Sequence, residues 1–141
     1  METIIYPRSP REAMSGWVYL PRFVDKIRLQ LGGKLAPDYA ENFTKGFDGA
    51  WLKAAGVTAE QFIEVVKDSV TDGEVCDWVS KNVRKSDTEK TAFRDFVLNR
   101  GRDGGEEVAA RLKLRKEAAG IAHRDEIQTF VDLIDADEKR I

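Results

Sequence analysis

Helix-opening signals recur along this chain, and they constrain its fold more than any other feature. Each is a small polar residue followed three positions later by Glu or Gln: Ser9 with Glu12, Thr58 with Gln61, Thr71 with Glu74, Ser86 with Glu89, and Asp103 with Glu106. In such a pair the first side chain accepts from a backbone N–H of the opening turn while the second reaches back to the cap. Two of the groups that a helix end leaves unpaired are then satisfied together. Pro10, directly after Ser9, suits the first helical position, where its missing N–H costs nothing.

The apolar residues behind these caps are spaced as helices require. Leu20, Phe23, Val24, Ile27 and Leu31 fall at steps of three and four before Gly32 and Gly33 end the run. Phe62, Val65, Val66 and Val70 form one further face, Val75, Trp78, Val79 and Val83 a second, and Phe93, Phe96, Val97 and Arg100 a third. From about residue 104 a charged helix carries Val108, Leu112 and Ala119, and from about 124 a last helix carries Ile127, Phe130, Val131 and Ile134. Residues 32–57 are the least regular, broken by Gly32, Gly33, Pro37, Gly46, Gly49 and Gly56 around Tyr39, Phe43, Phe47 and Trp51. That irregular part is the one best suited to form a pocket wall. The stretch "TIIY" near the start can be extended, but one short strand does not make a sheet.

The expected fold is therefore all-α. A single compact domain spans residues 1–141, with about six or seven helices in short-looped antiparallel pairs and a candidate subdomain hinge near 100–104. A chain of 141 residues buries roughly two-thirds of its unfolded surface, enough for one real core.

Composition serves mainly to exclude. A formal charge of -2 with 34% charged residues lacks the basic balance of a nucleic-acid binder. No run approaches the roughly 18 apolar residues of a membrane span, and "METIIYPRSPRE" lacks the apolar core of a secretory signal, so the expected location is cytoplasmic. One cysteine, Cys76, and one histidine, His123, exclude an internal disulfide and a Cys/His zinc set. No cofactor loop is visible either, since the glycines near 104 are not followed by the Gly-Lys-Ser or Gly-Lys-Thr of a phosphate-binding loop.

Three places remain as candidate sites. "LNRGRDGGEE" sets Arg100 and Arg102 before a helix start, where free N–H groups and a partial positive charge suit an anion. Asp103, Glu106 and Glu107 can occupy those same donors, so the glycines and carboxylates read first as a capped boundary with local ion pairs. In "LPRFVDKIRLQL" the core accounts for the apolar face and leaves Arg22, Asp25, Lys26 and Arg28 on a solvated face, with Asp25 in reach of Arg22 or Arg28. Trp17 and Tyr19, beside Gly16 and just before that helix, sit in an irregular setting that suits a pocket role. Cys76 and Trp78 read as core residues and His123 as a surface or cap residue. The acidic end "VDLIDADE" lacks calcium-loop spacing and reads as a helix end that faces Arg111, Lys113, Arg115 and Lys116 across a hairpin.

The strings Tyr6-Pro7-Arg8-Ser9-Pro10, Leu20-Pro21-Arg22 with Asp25-Lys26, "KGFDGAWL" and Asn99-Arg100-Gly101-Arg102 occur together and in order. In them the chain resembles a family of small bacterial proteins catalogued as a domain of unknown function. The resemblance spans nearly the whole length, implies a stand-alone helical domain, and brings no activity with it.

The expected function is a non-enzymatic cytoplasmic binding module that recognises an anionic small molecule or a protein partner through Trp17, Tyr19, Arg22, Asp25, Lys26, Arg100 and Arg102. No catalytic residue, metal or cofactor is assigned. The alternative is an enzyme with Asp25 as acid or base and arginines holding an anionic substrate. A third reading, a nucleic-acid accessory using residues 111–116, is disfavoured because the basic stripe has no interleaved aromatics.

Overall fold

The computed structural model describes residues 4–141, which form eight helices and one short hairpin. The fold is mostly helical, with one helix more than the upper expectation because the irregular segment 32–57 contains two.

The hairpin was not foreseen. β1 (Ala13–Met14) and β2 (Trp17–Val18) pair antiparallel, Ala13 opposite Val18 and Met14 opposite Trp17. Ser15 and Gly16 between them both have positive φ, 53° and 79°, the backbone that a two-residue turn needs to match strand twist. Tyr19 then donates its N–H to Glu12 at 2.8 Å. This hairpin displaces the helix expected at Ser9. Ser9 opens only a turn, its backbone carbonyl accepting from Glu12 N–H at 3.1 Å, while its hydroxyl donates to Asp135. Residues 4–9 form no strand, and Ile4 and Ile5 are exposed.

α1 (Leu20–Leu31) starts at Tyr19, carries Pro21 in its first turn and ends at Gly32. Two helices follow in the irregular stretch, α2 (Pro37–Ala40) and α3 (Gly46–Ala55). α4 (Ala59–Lys67), α5 (Asp72–Asn82) and α6 (Asp87–Asn99) start at the expected caps: Thr58 accepts from Gln61 N–H, and Thr71 with Glu74 and Ser86 with Glu89 form reciprocal boxes. Val70 lies beyond α4 and is exposed rather than on its buried face. α7 (Gly105–Ala118) and α8 (Phe130–Asp137) complete the chain, α8 starting at Thr129 and not near 124.

The main core gathers the buried face of α1 with Trp17, Trp51, Phe62, Val75, Val79, Phe93 and Val97. Its centre is aromatic: Trp17 meets Trp51 edge-on at 6.1 Å, and Trp51 lies 4.6 Å from Phe62. α1 packs on α4, α3 on α6, α4 on α5 and α6 on α8. A second cluster of Leu112, Ile127 and Leu133 underlies α7 and α8. Gly101 joins the two regions. Its φ is 112°, and a Cβ there would lie 3.0 Å from the Thr129 Cα. This closeness lets the Phe130 N–H bond to the Arg100 carbonyl at 2.9 Å. No helix among the described residues is long and apolar enough to cross a membrane.

Candidate functional site

The polar side of α1 is not a solvated face. Arg22 and Lys26 are 3% and 6% exposed, because α3 and the C-terminal segment cover them and supply carboxylates. Arg22 holds Glu138 through two parallel bonds of 2.9 and 2.7 Å. Glu138 also accepts from the Tyr39 hydroxyl at 2.7 Å and from Arg140. Burial raises the Glu138 carboxyl, yet these donors, Arg22 foremost, bring it below its ordinary value. Lys26 donates to both oxygens of Asp48 at 3.2 and 3.0 Å, and Asp48 accepts further from the Tyr19 hydroxyl at 2.6 Å and Thr44 N–H at 3.1 Å. Burial pushes the Lys26 ammonium below its ordinary value against the pull of Asp48, and pushes the Tyr19 phenol up.

Asp25 pairs with neither expected helix neighbour. Arg8 from the N-terminal strap clamps it with Nε at 2.9 Å and Nη2 at 3.0 Å, then reaches Asp72 at 2.8 Å. Arg28 takes the other Asp72 oxygen at 2.6 Å.

Beside the Arg22–Glu138 pair opens a cleft in two halves. One, of about 480 Å³, is lined by Tyr19, Arg22, Lys26, Asp38, Tyr39, Lys45, Asp137 and Glu138 among others. The other, of about 450 Å³, is lined by Gly46, Phe96, Arg100, Arg111 and Phe130. Asn42, Phe47, Arg115, Leu133 and Ile134 border both, so the halves adjoin. Across the cleft six cationic side chains stand against three acidic ones, in a chain whose overall charge is -2. Among the described residues Arg100, Arg111, Arg115 and Lys45 have no carboxylate partner within ion-pair distance, although acidic residues outnumber basic ones in the sequence.

The glycines before α7 explain how Arg100 is held. Gly104, not Asp103, caps the helix with φ 110°, and a Cβ on it would lie 2.7 Å from Arg100 Nη1. Gly104 therefore makes room for the guanidinium, which lies 5.2 Å from the centre of the Phe96 ring. The expected cap and local ion pairs are absent. Asp103 is exposed and enters a tight turn through its backbone, its N–H bonding to Asn99 at 2.8 Å. Its carboxylate is thereby displaced by one residue from the capping position. Arg102 points elsewhere, to Asn99 at 3.3 Å and Gln128 at 3.2 Å.

Of the seven residues singled out from the sequence, Tyr19, Arg22, Lys26 and Arg100 line the cleft. Trp17 is fully buried among Trp51 and Phe93, while Asp25 and Arg102 lie outside. Periodicity placed Phe96 on the buried face of α6, but it is 41% exposed. The acidic end does not pair with the basic helix: Asp132 and Asp135 bind Arg11, and Arg140 joins Asp135. Cys76 is half-buried, Trp78 packs partly buried against the core, and His123 is exposed. Lys45 and Asp48 were not singled out as site residues, Glu138 was read only as part of the acidic helix end, and Arg111 and Arg115 only as part of the basic stripe 111–116. Arg111 and Arg115 have i,i+4 spacing, which puts them on one helix face, but nothing in the sequence says which face lines a cleft.

A protein-family model described as a domain of unknown function (DUF5069) matches residues 4–140, and the chain belongs to that family. No curated protein matches it.

Proposed function

We propose that this member of the DUF5069 family is a cytoplasmic, non-enzymatic binding module whose cleft holds an anionic small molecule. The observation that carries the reading is the set Arg100, Arg111 and Arg115 bordering one concavity, none of them ion-paired with a carboxylate among the described residues. Like charges gathered on one wall repel one another, and an entering anion relieves that repulsion while gaining guanidinium hydrogen bonds. The buried Arg22–Glu138 and Lys26–Asp48 pairs serve as supports in this reading: they fix α1, Tyr39 and the start of α3 at the cleft wall. Asp25 stands outside the cleft under Arg8, so the enzyme reading that gives it the role of acid or base has no support from its position.

The test is a thermal-shift screen of phosphate, sulfate, organic carboxylates and phosphomonoesters at low salt. It is run on wild type, on Arg100→Ala and on an Arg111→Ala/Arg115→Ala double variant. At least one anion is expected to raise the wild-type midpoint in a saturable way, with the response lost in the double variant and weakened by Arg100→Ala. The reading is overturned if no anion binds wild type more tightly than about 10 mM, or if the variants respond as wild type does.

A further inference from the structure

Resting on that reading, we infer that the ligand is an organic anion with a flat apolar body, its anionic head among Arg100, Arg111 and Arg115 and its body on the Phe47–Phe96 wall. The volume of the cleft points this way first. The half that holds the three arginines measures about 450 Å³, within the range of sites for organic ligands. A bare inorganic ion, comparable in size to a few waters of about 30 Å³ each, leaves most of that space empty.

The wall itself is the second observation. Phe96 sits on α6 between the buried Phe93 and Val97, but its own ring is 41% exposed. Phe47 meets it edge-on at 6.0 Å and 90°, and both rings line the cleft, so they form one aromatic corner of its wall. Arg100 lies 5.2 Å from the same ring, so a cationic and an aromatic contact surface adjoin. Phe130, Leu133 and Ile134 continue the apolar lining. A ligand covering these side chains removes apolar surface from water, and one carrying an acid also meets guanidinium groups that have no carboxylate partner among the described residues. Neither a hydrophilic ion nor a neutral hydrocarbon uses both.

Isothermal titration of the full chain with inorganic phosphate, phenyl phosphate and phenylacetate tests this, in wild type and in Phe96→Ala, where removal of a partly exposed ring leaves the main core intact. Phenyl phosphate or phenylacetate is expected to bind at least about tenfold more tightly than phosphate. Whichever of the two binds better identifies the head group. Phe96→Ala is expected to abolish the advantage, read as the ratio of aromatic-probe to phosphate affinity within the same variant, so that any change in how Arg100 is held cancels. If phosphate binds as tightly as both aromatic probes, or if Phe96→Ala leaves their advantage intact, the inference fails while the anion-binding reading stands. If none of the three binds, this inference fails, and the anion screen decides separately whether the broader reading survives.

Discussion

Replacing Asp48 by Asn is expected to be among the most damaging single changes in this protein, and the structure sets its size. Asp48 is fully buried and accepts from Lys26, Tyr19 and Thr44. The amide keeps the shape but removes the charge, leaving the Lys26 ammonium buried without its partner. Breaking one side of a buried pair costs about 3–5 kcal/mol. An independent ceiling agrees: Lys26 can escape by releasing its proton, and bringing an amine of ordinary pKa 10.5 to neutrality at pH 7 costs about 4.8 kcal/mol. With about 2.1 cal/mol/K of unfolding entropy per residue over 141 residues, each kcal/mol corresponds to about 3.4 °C. The melting midpoint should fall by about 10–17 °C. The pH dependence has a definite sign. In the variant the folded-state pKa of Lys26 lies further below its unfolded value, so the unfolded chain binds more protons between the two and stability rises with pH. At the ceiling, the deficit shrinks by about 1.4 kcal/mol per pH unit above neutrality. Urea unfolding of both proteins at pH 7 and pH 9 measures this, and a deficit below about 1 kcal/mol, or one that does not shrink at the higher pH, refutes the reasoning.

The carboxyl of Glu138 has a folded-state pKa below its ordinary 4.5, so the stability it contributes is present above that value and is lost as pH falls through the folded value. Glu138→Gln should flatten this acid limb and, by leaving Arg22 buried without its partner, cost about 3–5 kcal/mol at neutral pH, measured by denaturant unfolding across the acid range. Gly101→Ala should lose about 2–3 kcal/mol through its φ of 112° and the contact with Thr129, and speed amide exchange in α8 before that in α1. Ser15→Gly should stabilise by about 1 kcal/mol, since Ser15 holds a left-handed backbone at φ 53° that glycine adopts freely; an unchanged unfolding midpoint counts against the hairpin geometry.

The helical fold was legible because its signals are local. Thr58, Thr71 and Ser86 need only neighbours within one turn to cap a helix, and their environment does not compete. The same pattern failed at Ser9 and Asp103, where other interactions prevailed: the Ser15–Gly16 turn draws residues 13–18 into a hairpin, and Gly104 moves the helix start to make room for Arg100. The candidate site was legible only in part. Arg22 and Lys26 belong to an uncommon string, but their burial depends on Glu138 and Asp48, which lie 116 and 22 residues away. Helical periodicity gave Phe96 the same face as Phe93, and only the position of the Asn42–Phe47 segment shows that this edge borders a cleft. Arg111 and Arg115 looked like an ordinary charged helix for the same reason.

The claim that the cleft is an anion site is tested most directly by following the guanidinium Nε–Hε resonances of the arginines in a ¹⁵N-labelled sample during titration with phenyl phosphate. The account predicts saturable shifts at Arg100, Arg111 and Arg115 with a common dissociation constant, while Arg84, Arg94 and Arg102, which do not line the cleft, stay in place. Shifts scattered over all surface arginines without saturation, or confined to residues outside the cleft, would contradict it.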